Sequence, residues 1–179
     1  MYVARSIALA LALLTSQAAC VINPPAQSFG YAPSVPSGVV VERLSSADLA
    51  AILKSEGYGS VTVQKDGNVS FKANGVLCVL YRYDDGDLQL YFGITGITVD
   101  PRTINEWNRT RRLSRAYLDA DQDPILEADL LADTGLSRET VSSFVKVFVQ
   151  SVSHFQTYLL ENGEAQPASA DDAPTAQSL

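Results

Sequence analysis

Asn105-Glu106-Trp107-Asn108-Arg109-Thr110-Arg111-Arg112-Leu113-Ser114-Arg115-Ala116-Tyr117-Leu118 reads as a helix passing directly into a strand, and that reading decides the fold. Just upstream, Asp100-Pro101 supplies a side-chain acceptor at a helix cap and a proline at the first helical position. Ile104 and Trp107 give that helix its buried stripe, and Arg111 and Arg112 complement the dipole at its C-terminal end. From Ser114 to Asp119 the period changes to two, with Ala116 and Leu118 opposite Arg115 and Tyr117. The stretch holds the only Trp and four of the arginines.

Working outward, Ser45 or Ser46 caps a helix that runs to about Glu56, with Leu49, Ile52 and Leu53 on one face and Gly57 as its stop. Val61 and Val63 alternate with polar neighbours, as do Val69, Phe71 and Ala73, and Asp66-Gly67-Asn68 turns between them. Asn74-Gly75 is a second turn. Val76 to Tyr83 is apolar at almost every position, which predicts a central strand covered on both faces. Asp84 to Asp87 turns into Leu88 to Thr95, where Leu88, Leu90, Phe92 and Ile94 share a face. After a turn at Ala120 to Asp123, Leu126, Ala128 and Leu130 point inward from one further strand. Ser137 opens a last helix, on which Val141, Phe144, Val145, Phe148, Val152, Phe155 and Leu159 recur at three and four, ending at Asn162-Gly163. The order α-β-β-β-β-α-β-β-α, with hairpin-linked strands, predicts an α+β fold: a mainly antiparallel sheet of about six strands and three helices packed chiefly on one side.

Length and charge set bounds. At 179 residues the chain is one domain with tails. Its 13 basic against 20 acidic residues argue against binding of phosphate backbones, so nucleic acid is not an expected partner. Two cysteines exclude a disulfide scaffold, and one histidine argues against a His-rich metal site; no cofactor is expected.

Residues 1–20 read as an export signal: Arg5, an apolar run from Ile7 to Leu14, then small residues up to Cys20. Ala18-Ala19-Cys20 resembles the end of a bacterial lipobox, which would make Cys20 a lipid attachment point; Gln17 departs from that pattern, and ordinary cleavage after Ala18 competes. Residues 21–43, rich in Pro, Ser and Gly, read as a tether, residues 44–161 as the domain, and residues 162–179 as a disordered acidic tail. The expected location is the periplasm, or the membrane through a lipid anchor. Cys78 reads as a small buried hydrophobe, with a disulfide to Cys20 and a nucleophilic role both disfavoured.

From about Leu44 to Leu160 the chain resembles the YbjN-domain family of bacterial sensory-transduction regulators. The residues that carry the resemblance are Ile104-Asn105-Glu106-Trp107-Asn108, Arg115-Ala116-Tyr117-Leu118-Asp119, Asp123-Pro124 and the acids Glu127 and Asp129. The resemblance implies a fold similar to type III secretion chaperones, small α+β proteins that usually dimerise and bind other polypeptides. It implies no reaction and no catalytic residues.

Three constellations bear on function. Arg102, Arg109, Arg111, Arg112 and Arg115 would clamp an acidic partner, a carboxylate or lipid phosphates, or else would form a solvated helix end plus ion pairs to Glu127 and Asp129 across the neighbouring strand. Asp119 to Asp123 has the alternating acids of a calcium loop, but Pro124 and Leu130 stand where that loop needs Gly and Glu, which favours a tight turn. Tyr81, Tyr83, Tyr91 and Tyr117 share either an open sheet face or the core. The expectation is an exported, non-enzymatic protein-interaction domain that binds another protein or itself, with Trp107, Arg109, Arg111, Arg112, Arg115 and Tyr117 as its partner surface. The competing readings are a small-ligand binder or enzyme using the Arg/Asp cluster 109–129, and a structural envelope lipoprotein.

Overall fold

The computed structural model describes residues 35–165. A two-residue strand β1 (Val40–Val41) precedes helix α1 (Ser46–Ser55), followed by β2 (Gly59–Val63), β3 (Val69–Ala73), β4 (Val76–Arg82), β5 (Leu88–Gly93) and the short β6 (Ile97–Thr98). Then come α2 (Pro101–Thr110), β7 (Arg115–Leu118), β8 (Pro124–Leu130), the short β9 (Leu136–Ser137), α3 (Arg138–Asn162) and β10 (Glu164–Ala165). Six strands form one sheet in the order β2-β3-β4-β5-β8-β7, antiparallel at every pair. The α+β class, the six-stranded sheet, the three helices and their order are those expected.

Local chemistry places each boundary. Ser45 is the cap of α1: its hydroxyl accepts from the Asp48 amide at 3.1 Å while Asp48 Oδ2 accepts from the Ser45 amide at 3.0 Å, a reciprocal capping box. Asp100 Oδ1 accepts from the Arg102 amide at 2.7 Å and starts α2, and Ser137 Oγ accepts from the Thr140 amide at 3.1 Å and starts α3. Asn74 and Gly75 both have positive φ, which turns β3 tightly into β4.

The core lies on one face of the sheet. Val69, Phe71, Cys78, Leu80, Leu88, Leu90, Phe92 and Leu126 are buried there, packed with Leu49, Ile52 and Leu53 of α1 and Val141, Val145, Phe148, Val152, Phe155 and Leu159 of α3. The expectation that β4 is covered on both faces is therefore corrected. Cys78 and Leu80 are buried, but Leu77 is 56% exposed and Val79 half-buried, because the buried stripes of the helices go to the other side.

Two domain edges also differ from the sequence reading. The tether was expected to extend to residue 43, yet Val35 is buried and β1 pairs with β9. The tail was expected from residue 162, yet Asn162 is helical and β10 pairs with β6. Both ladders are two residues long, too short to show a period in the sequence. Gly163 belongs to the second: a Cβ there would lie 2.7 Å from Leu159 O and 2.8 Å from Ile97, so only glycine admits the close crossing. The leader, Cys20, residues 21–34 and residues 166–179 lie outside the described residues.

Candidate functional site

The uncovered side of the sheet gathers most of the residues of interest. Register puts Leu77, Val79 and Tyr81 of β4, Gln89 and Tyr91 of β5, Ile125, Glu127 and Asp129 of β8, and Arg115 and Tyr117 of β7 on that side, with Tyr83 following directly after β4 and bonded to Gln89. The four tyrosines singled out in the sequence do share a face, and it is the open one. Tyr81 and Tyr91 meet edge to face with ring centroids 6.0 Å apart.

A continuous band of polar contacts crosses this face over four strands. Tyr83 Oη donates to Gln89 Oε1 at 3.0 Å, and Gln89 Nε2 donates to Asp129 Oδ1 at 2.8 Å. Arg115 Nη2 lies 3.9 Å from Asp129 Oδ2, and its Nε and Nη2 both donate to Glu127 Oε2, at 3.1 and 2.9 Å. Tyr117 Oη completes the band by donating to Glu127 Oε1 at 2.7 Å. Glu127 is buried, and these donors give both of its carboxylate oxygens hydrogen-bond partners. Burial, and then the Glu127 carboxylate it donates to, push the Tyr117 phenol well above the ordinary tyrosine range. Ion pairs from the arginine cluster to Glu127 and Asp129 are one of the two readings the sequence offers, and Arg115 is the arginine that makes them; Gln89 and the place of Tyr83 in the band follow only from cross-strand register.

The face continues round the edge of the sheet into a cleft of about 830 Å³. The cause is a mismatch in strand length. Arg115, the first residue of β7, pairs with Glu127, so β8 runs on through Ala128, Asp129 and Leu130 with no strand on its β7 side among the described residues. Leu113 has a φ of 67° and turns the chain away, leaving the gap between Leu113-Ser114, the β8 edge, and Phe144 and Val147 of α3. Leu113 is 69% exposed and Leu131 65% exposed.

The remaining expected surface residues divide. Trp107 is not at the surface: it is 1% exposed, with its ring 4.9 Å from Phe155 and 5.5 Å from Tyr158. Its spacing of three from Ile104 puts it on the inward stripe of α2. Arg109 is exposed and pairs with Glu106 one turn back at 2.6 Å, while the Arg111 guanidinium stacks 5.3 Å from the centre of the Trp107 ring. Arg112 is exposed at the helix end. Asn108 ties the helix to the strand, its side chain accepting from the Ala116 amide at 2.8 Å and donating to the Ala116 carbonyl at 2.9 Å. That two-way lock joins the two halves of the stretch that carries the family pattern.

The reactive candidates have structural partners or none at all. Burial pushes the Cys78 thiol up to about 12, which keeps it a protonated hydrophobe. Asp119 Oδ1 accepts from the amides of Asp121 and Asp123, which makes the acidic run a hairpin turn. His154 is exposed on α3. Among the described residues no group of three or more His, Cys, Asp and Glu is placed to hold a metal ion.

Among solved structures, the chain is similar to a type III secretion chaperone of Yersinia pestis, SycH, in complex with a stable fragment of YscM2. Identity is 13% and the TM-score 0.46, over 59% of this chain and 94% of that one. No curated protein matches the chain. The family model for YbjN, described as "Putative bacterial sensory transduction regulator", matches residues 45–161, which run from the cap of α1 to the penultimate residue of α3. On that match the chain belongs to the YbjN family.

Proposed function

We propose that this is an exported, non-enzymatic protein-interaction domain of the bacterial cell envelope, which binds a protein partner through the open face of its sheet. The observation that carries the reading is that face. Among the described residues no helix covers one side of the six-stranded sheet, and that side presents Leu77, Val79, Tyr81, Tyr83 and Tyr117 around a pre-ordered polar band. Tyrosines with ordered hydroxyls lose little side-chain entropy on binding and offer both an apolar ring and a polar tip. The partner is a different envelope protein or a second copy of this chain. The apolar run and small residues of segment 1–20 support export, and Cys20 supports a lipid anchor.

The test is photo-crosslinking in intact cells with a photoreactive residue in place of Leu77. One partner band should recur, and it should disappear when Tyr81 and Tyr83 are replaced by Asp. Recovery of only diffuse adducts would refute the face. Met1 retained on the mature protein would refute export, and Cys20→Ser leaving the protein membrane-bound would refute the anchor.

The 830 Å³ cleft supports a second reading, small-ligand binding, because Arg115, Glu127 and Asp129 line it beside apolar walls. A ligand that stabilises the wild type but not Ser143→Trp, which fills the cleft from an exposed position on α3, would favour it.

A further inference from the structure

We propose that the arginines on and just after α2, Arg102, Arg109, Arg111 and Arg112, are a docking site for the chain's own acidic segment, residues 166–179, centred on Asp171 and Asp172. Arg102, Arg111 and Arg112 are exposed, and none of them makes an ion pair among the described residues. Arg109 is exposed beside them, bridged to Glu106. Arg102 and Arg109 lie on the 10-residue α2, about 15 Å long, Arg111 is its C-cap and Arg112 follows directly.

The packing of the two helices brings the segment to this place. Tyr158 Oη donates to the Thr103 carbonyl at 2.9 Å, and Trp107 lies against Phe155 and Tyr158, so the last turns of α3 run beside α2. Just after α3 ends, Ala165 pairs with Ile97, three residues before the Asp100 cap of α2. Ala165, the last described residue, thus lies near the N-terminal end of α2. Asp171 and Asp172 come six and seven residues later, a reach of about 20–25 Å that covers the helix as far as Arg112. Residues 166–179 carry these two acids and no basic residue.

Each exposed pair contributes little by itself, but tethering holds the acids at roughly millimolar effective concentration. Arg111 is also held by the Trp107 ring, so it has less freedom to lose on pairing. The consequence is self-competition: an acidic partner reaching for these arginines must first displace the segment. The inference concerns α2 and not the open sheet face, so it stands or falls separately from the partner-binding reading.

The test is amide NMR of the full chain with Asp171→Asn/Asp172→Asn. Shift changes are expected at Arg102, Arg109, Arg111 and Arg112 as well as beside the substitutions. Raising the salt concentration to about 0.5 M should produce the same changes in the wild type, since it screens exposed pairs. In the reverse direction, Arg111→Glu/Arg112→Glu should move the Asp171 and Asp172 amides. Changes confined to the neighbours of residues 171 and 172 would overturn the proposal, as would changes that grow with protein concentration, which would assign the contact to a second copy. Vesicles containing phosphatidylglycerol that broaden the arginine signals equally in the wild type and the Asn variant would assign the arginines to a membrane surface and overturn it too.

Discussion

Replacing Trp107 by Phe and by Ala separates two effects that one substitution would confound. The side chain is fully buried against Phe155 and Tyr158, yet its Nε1 has no hydrogen-bond partner among the described residues. Trp107→Ala empties a large volume in the core and should cost about 3–5 kcal/mol. Trp107→Phe keeps a ring in the same place while removing a buried, unsatisfied N–H whose desolvation costs about 1–3 kcal/mol. That relief offsets the smaller cavity, so the Phe variant should fall within about 1 kcal/mol of the wild type. For a domain of this size the Ala variant should melt about 10–20 °C lower and the Phe variant within about 5 °C. The assay is urea and thermal unfolding followed by far-ultraviolet circular dichroism, because Trp107 is the only tryptophan and its fluorescence is lost in both variants. If the Phe variant is as damaged as the Ala variant, Nε1 has a partner and the accounting fails. Trp107→Phe should also leave partner crosslinking at Leu77 unchanged, since the ring supports the fold from inside.

Three other perturbations test separate parts of the structure. Gly135 has a φ of 78°, and a Cβ there would lie 2.6 Å from Val40 Cγ1; Gly135→Ala should cost about 1–3 kcal/mol and release β1, seen as faster hydrogen exchange at Val40 and Val41. Hydrogen bonds from the Ser37 hydroxyl, from its own backbone and from the Gly38 amide hold Glu139 at about 2 against its ordinary 4.5. A depressed carboxylate stabilises the folded contact above the ordinary value and loses that contribution as pH falls from 4.5 towards 2. Exchange protection of residues 35–39 should therefore drop in that window, and Glu139→Gln should remove the pH dependence. Glu127→Gln should lower the Tyr117 pKa towards its ordinary 10.0 without reaching it, because burial is the larger cause of the rise; site-resolved tyrosine NMR titration would show no change if the Tyr117–Glu127 bond does not form.

Elements of ordinary length were legible because each declares a period and a boundary locally. Asp100-Pro101 marks the start of α2, Asn74-Gly75 the turn into β4, and the threes and fours of Val141 to Leu159 the last helix. Val76 to Tyr83 misled because an apolar run means burial only where something covers it; here the helices pack on one side and Leu77 is left to solvent. The short ladders β1–β9 and β10–β6 carry no periodic signal and exist because segments distant in sequence pass beside each other.

The candidate site shows the same division. Alternation on neighbouring strands allows ion pairs from the arginines to Glu127 and Asp129, but only register makes Arg115 the partner; the spacing of three from Ile104 places Trp107 on the buried stripe. Listing Trp107 with a surface nevertheless conflicted with that spacing, and burial decided against it. The cleft depended on β7 being shorter than β8, a difference of length that becomes a cavity only when the register is known.

By itself the sequence determined the α+β class, the element order, the family and the acidic balance, since each rests on residues close together or on their sum. Only the tertiary structure decided which sheet face stays open, that Trp107 is core, and that four strands share one polar band. Those outcomes depend on the register of strands far apart in the chain and on which side the helices choose, and neither is written in any local stretch.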